Sequence, residues 1–64
     1  MSAVADLAFI GAPVDDPVKT ASFIGGMILT RRQKASLLKE YLSEKNLEIT
    51  PEIKGGAQAY VEVL

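Results

Sequence analysis

The clearest pattern along the chain is formed by Ala35, Leu37, Leu38, Tyr41 and Leu42, apolar positions spaced mostly three and four apart. Wound at helical pitch, they fall on one side of a cylinder, within about 160° of one another. Arg32, Gln33, Ser36, Lys39, Glu40, Ser43 and Glu44 cover the other side. Thr30 with Gln33 three residues on has the form of a capping box. Asn46 suits the left-handed residue that often follows a last helical turn. The spacing predicts an amphipathic helix over about residues 31–45.

Beyond it the period changes to two. Leu47-Glu48-Ile49-Thr50 alternates apolar and polar, as does Ala59-Tyr60-Val61-Glu62-Val63, and Gly55-Gly56 stands between them. A three-residue loop, Lys54-Gly55-Gly56, sets Ile53 opposite Ala57, Pro51 opposite Ala59, Ile49 opposite Val61 and Leu47 opposite Val63. Every member of that face is apolar. The other face pairs Glu48 with Glu62, Thr50 with Tyr60 and Glu52 with Gln58. Pro51 confines its strand to an edge or a bulge. The pattern predicts an α+β fold, with the helix packed on a C-terminal β-hairpin of strands about 47–53 and 57–63.

The first half is less regular. Asp16-Pro17 reads as a helix cap followed by proline at the first helical position. That predicts a short helix over about 17–24, through Val18, Ala21 and Ile24. Gly25-Gly26, flanked by Phe23-Ile24 and Met27-Ile28, also fits a hairpin turn; the capping signal favours the helix, broken at the glycines. Residues 1–16 hold Leu7-Ala8-Phe9-Ile10, Gly11 and Pro13. They read as an extended arm with a short strand at about 6–10. Residues 1–29 then form an arm and residues 30–64 an α-β-β unit, in one small domain.

Size sharpens the picture. A chain of 64 residues buries only about 60% of the surface its unfolded form exposes. Such scaffolds usually need a staple: a disulfide, a metal or another chain. There is no cysteine and no histidine, which removes disulfides, thiolate sites and imidazole ligands. No cofactor or metal is expected, and what remains is association, the favoured staple, or an unusually well-packed small core. At 48% hydrophobic and 23% charged, the chain has an ordinary globular composition. Its net charge of -1 gives no bulk attraction to nucleic acid or anionic membrane. The apolar runs are shorter than the ~20 residues of a membrane span, and the first residues lack the basic start of a secretory signal. The expected location is cytoplasm or virion.

Candidate chemistry is sparse. Nucleophilic catalysis without histidine or cysteine leaves Ser36 with Lys34 or Lys39, on a helix face where nothing desolvates the lysine. Glu40, Glu44, Glu48 and Glu52 are spaced by four, but only the first two share the predicted helix. Ile24-Gly25-Gly26-Met27 matches neither a dinucleotide fingerprint nor a P-loop. The chain is not expected to be an enzyme.

Two features ask for a partner. Residues 17–39 carry Lys19, Arg31, Arg32, Lys34 and Lys39 and no acid, whereas residues 40–64 carry five glutamates against Lys45 and Lys54. The predicted helix is thus basic at its start and acidic at its end, the reverse of what its macrodipole favours. An anionic partner at Arg31, Arg32 and Lys34 would compensate. The second feature is an apolar surplus: Leu7, Phe9, Ile10, Phe23, Ile24 and Met27, with Ile28 and Leu29, exceed what one helix and one hairpin can cover. Together they predict a non-enzymatic structural or accessory subunit, such as a capsid decoration or cementing protein or a small subunit of a complex. Its partners would be other protein chains, as a homo- or hetero-oligomer. The alternative is a small nucleic-acid-binding or regulatory docking module that uses the basic helix start.

Overall fold

The fold was described from a computed structural model and covers residues 2–64. Four α-helices follow one another: α1 (Ala3–Phe9), α2 (Pro17–Gly25), α3 (Arg31–Glu44) and α4 (Pro51–Gly56). A 3-10 turn, Val61–Val63, ends the chain. There is no strand among the described residues, so the expected α+β fold is overturned.

The helices predicted from capping signals are present. Thr30 and Gln33 form the reciprocal capping box of α3. Asp16 accepts from the Lys19 N–H at 3.1 Å and Pro17 opens α2. Asn46 takes φ 56°, and its N–H reaches the Ser43 carbonyl while the Leu47 N–H reaches that of Leu42. This pair of bonds satisfies carbonyls that the last turn of α3 would otherwise leave unpartnered.

Two expectations fail, each for a readable reason. The strand at 6–10 is absent: those residues are the end of α1 and its cap. Ser2 accepts from the Ala5 N–H at 3.1 Å, and Ala3 and Leu7, four apart, share the buried face. Gly11, at φ 91°, then closes α1 as Asn46 closes α3, with Ala12 N–H to Leu7 O at 2.9 Å. The N-terminal segment is therefore a helix and a tight turn folded onto its own chain.

The hairpin at 47–53 and 57–63 is absent as well. Thr50-Pro51 repeats the signal of Asp16-Pro17: Thr50 Oγ1 accepts from the Ile53 N–H at 3.2 Å, and Pro51 takes the first turn of α4. Ile53, Ala57 and Tyr60 stand four and three apart and are all buried. The hairpin register would have placed Tyr60 on the outer face and Val63 on the inner one. In the fold Tyr60 is 1% exposed and Val63 is 41% exposed. Helical spacing through the turn outweighed the two-residue alternation.

The core lies where α2, α3 and α4 meet, with α1 against α3. Five of its buried apolar residues are alanines (Ala3, Ala12, Ala21, Ala35 and Ala57), and Leu7, Ile24, Leu38, Tyr41, Leu42, Ile53 and Tyr60 supply the bulk. Small residues let short helices approach closely. The tightest approach is α4 on α2: a β-carbon on Gly56 would stand 2.6 Å from the Val18 carbonyl oxygen and 3.3 Å from Ala21 Cβ. Buried hydroxyls are used to tie loops to helices. Tyr60 donates to the Ala21 carbonyl at 2.8 Å, Tyr41 to Val14 at 2.5 Å and Thr20 to Pro13 at 2.6 Å. No buried side-chain polar atom among the described residues lacks a partner.

Gly56→Ala is expected to destabilise the protein by about 1–3 kcal/mol, because the neighbour is backbone and cannot turn aside. Gly55→Ala, whose β-carbon would meet nothing, is expected to be neutral or to stabilise by up to ~1 kcal/mol through helix propensity. Urea unfolding of the two variants checks the contrast. Burial also pushes the Tyr60 hydroxyl up to about 12 from 10.0. The unfolded chain therefore loses this proton first. The stability held by neutral Tyr60 is complete below pH 10 and is lost as pH rises towards 12, at about 1.4 kcal/mol per unit. Tyr60→Phe should flatten that part of an unfolding-versus-pH curve.

Candidate functional site

The reversed charge of α3 is the natural place to look for a partner, and much of the compensation turns out to lie within the chain. Lys34, in the first turn of α3, extends its Nζ to the Gly25 carbonyl at 2.7 Å. That carbonyl is at the last turn of α2, where orphan carbonyls and the negative end of the dipole favour a cation. Glu44, in the last turn of α3, reaches the start of α1. It accepts from Ser2 Oγ at 2.5 Å and from the Ala3 N–H at 2.5 Å, with Val4 N–H at 3.4 Å. An anion at a helix start is equally well placed. Each charge is badly sited for α3 and well sited for its neighbour.

Ser2's hydrogen bond is the main cause holding the Glu44 carboxyl below its ordinary value of 4.5; desolvation, next in size, opposes it, and the backbone N–H groups of Ala3 and Val4 add to the lowering. Lys45 completes the set by donating to Val14 O at 3.2 Å, beside the Tyr41 hydroxyl.

The three basic residues singled out from the sequence therefore differ in fate. Lys34 is half-buried and engaged with α2. Arg31 stands 3.8 Å from Glu62, with both side chains largely in solvent, a contact worth little. Arg32 is exposed and has no ion pair among the described residues. The structure does not assemble them into a single anion-binding cradle.

The apolar candidates also divide. Leu7 and Ile24 are core residues, and Phe23 and Met27 are half-buried against the core. Phe9 is 92% exposed and Ile10, beside it, 49%. Ile28 stands fully in solvent in the α2–α3 turn, next to a partly exposed Leu29. The alternation that suggested a hairpin hid two further positions, Leu47 and Ile49, which also face solvent.

Two concavities matter. A cleft of about 540 Å³ between α1 and α3 is lined by Ala3, Asp6, Lys39, Glu40, Ser43 and Glu44. Its carboxylates include Glu44, already committed to the start of α1. A smaller groove of about 310 Å³ is lined by Leu42, Ile49, Val61 and Leu64, with Lys39 and Lys54 among its walls. Sequence reasoning missed this groove because it assigned Ile49 and Val61 to the inner face of a hairpin. No group of three His, Cys, Asp or Glu residues among those described is placed to hold a metal ion. Ser36 is exposed, and Lys34 points to Gly25. No helix of the described residues is long and apolar enough to cross a membrane. Comparison with protein-family models, curated proteins and solved structures gives no match to this chain.

Glu44's role predicts an acid response. Its folded-state carboxyl titrates below the unfolded one, so its contribution is present above about pH 4.5 and is lost as pH falls through the lowered value. Amide exchange in α1 should accelerate over that range. Glu44→Gln should make α1 exchange faster at neutral pH and remove much of the acid step.

Proposed function

We propose that this protein is a non-enzymatic accessory subunit of a larger protein assembly, held in place by apolar side chains that its own core leaves outside. The observation that carries the reading is Phe9, 92% exposed, together with the fully exposed Ile28. The small core encloses Leu7, Ile24, Leu38, Tyr41 and Tyr60 and leaves both of these residues outside it. Phe9 with Ile10 beside it, and Ile28 with Leu29, are adjacent apolar side chains left at the surface, as an interaction surface would present them. The support is narrower than the sequence suggested. Residues 3–25 fold onto α3 and α4, so a neighbour is not required as a staple for the core.

A nucleic-acid or regulatory docking role through Arg31, Arg32 and Lys34 has less behind it. Lys34 already serves α2 and Arg31 has an acidic neighbour, which leaves Arg32, of the three, without an ion pair among the described residues.

Sizing of the tagged chain in extracts of its own cells tests the proposal. The expected result is elution in a particle well above the 6.9 kDa of one chain. Phe9→Ser with Ile28→Ser should move the chain to the monomer position while its circular dichroism stays unchanged. A wild-type chain that elutes as a monomer from native extract overturns the reading.

A further inference from the structure

We propose that residues 2–12 are a strap that opens off α3 as one unit, swinging about Gly11 and latched by Glu44, while α2, α3 and α4 stay folded. The closed strap conceals Leu7; the open one presents it beside Phe9 and Ile10. The device stands whether or not the chain works as an assembly subunit.

The strap has little of its own to hold it. α1 is seven residues long, well short of the ~12–15 at which an isolated helix is even marginal in water. The large side chain it buries fully is Leu7; Val4 is half-buried and Ala3 is small. The remaining bulk of the core, Ile24, Leu38, Tyr41, Leu42, Ile53 and Tyr60, comes from α2, α3 and the C-terminal segment. The close approach of Gly56 to Val18 joins α4 to α2. Those contacts stay in place when the strap leaves. Its polar tie is Glu44, which accepts from Ser2 Oγ and from the N–H groups of Ala3 and Val4. The Glu44 side chain is exposed and faces an open cleft also lined by Asp6, Lys39, Glu40 and Ser43. Water replaces the latch bonds there, so opening strands no buried charge.

The far limit of the moving segment is set by pins. Thr20 Oγ1 donates to the Pro13 carbonyl, and the Tyr41 hydroxyl and Lys45 Nζ both donate to that of Val14. These bonds fix residues 13 and 14 to α2 and α3, so unwinding of α1 stops before the Asp16 cap of α2. Between the pins and α1 stands Gly11 at φ 91°, with nothing within 4 Å of where a β-carbon would be. A residue that is free in φ and unpacked is where the chain turns at least cost. Once open, residues 2–12 carry Val4, Leu7, Phe9 and Ile10 with one acid, Asp6, and no base. Leu7, 1% exposed in the closed form, is what opening adds to the surface.

Native-state hydrogen exchange of the full chain, followed by NMR over a series of low urea concentrations, is the experiment. The amides of Asp6, Ile10, Gly11 and Ala12 are bonded to the carbonyls of Ser2, Asp6, Ala8 and Leu7. They are expected to share one opening equilibrium that depends little on urea. That opening should be roughly tenfold or more better populated than the one that frees α3 and α4. The Thr20 amide, beyond the pins, should exchange with α2. Glu44→Gln should raise the shared opening about tenfold, as loss of hydrogen bonds to a charged group implies, and leave the amides of α2 and α4 unchanged. The chain has no cysteine, so Ala3→Cys gives a second reading. Its thiol, buried when the strap is closed, should be labelled at the strap's opening rate and faster by the same factor with Glu44→Gln. Strap amides that follow the rates and urea dependence of α2 and α4 overturn the proposal. So do amides that exchange in order from Ser2 inward, which is fraying rather than one unit, and a shared opening that Glu44→Gln leaves unchanged.

Discussion

The architecture turns on how closely α4 can approach α2. The Val18 carbonyl oxygen lies 2.6 Å from where a β-carbon would stand on residue 56, a distance only glycine permits. That approach seats Ile53, Ala57 and Tyr60 against the rest of the core and lets the Tyr60 hydroxyl reach the Ala21 carbonyl. A six-residue helix has little stability of its own. It is held by the apolar face it buries and by the Thr50-Pro51 start, which together make the C-terminal segment helical. The same economy recurs in the alanines of the core, which trade side-chain bulk for short distances between helices.

α3 is the element against which α1 and α2 are arranged, and its charges follow from that. Isolated, it would be a poor helix electrostatically, with Lys34 at its positive end and Glu44 at its negative end. In the folded chain Lys34 faces the carbonyl end of α2, and Glu44 faces the N–H end of α1. The helix gives up a little of its own stability and fixes both neighbours. A broken local rule pointed correctly to an interaction, but that interaction is largely with the chain's own helix ends.

What remains outside the core bears on function. Leu7 and Ile24 are enclosed, while Phe9, Ile10, Ile28 and Leu29 are left at the surface. The molecule closes its core with its own residues and still has apolar side chains to spare. Phe9 and Ile28 face water, and it is these exposed side chains, not an incomplete core, that a neighbour would cover.

Local signals were legible in the residues themselves. Capping box, Asp-Pro and left-handed asparagine mark α2 and α3 because each depends on side chain and backbone within a few positions. The cap at Thr50-Pro51 was equally local, yet it competed with an alternating run that fitted a hairpin register. Ser2, the cap of α1, is reinforced by Glu44 from 42 residues away, a partnership no local pattern contains. Choosing between helix and strand for residues 51–63 required knowing that Tyr60 would be buried against α2 and that Gly56 would meet Val18. The groove likewise exists only once the chain end lies beside α3. Short-range hydrogen bonding is written in consecutive residues; the burial of one segment against another is decided by which surfaces meet, and that is a property of the tertiary structure.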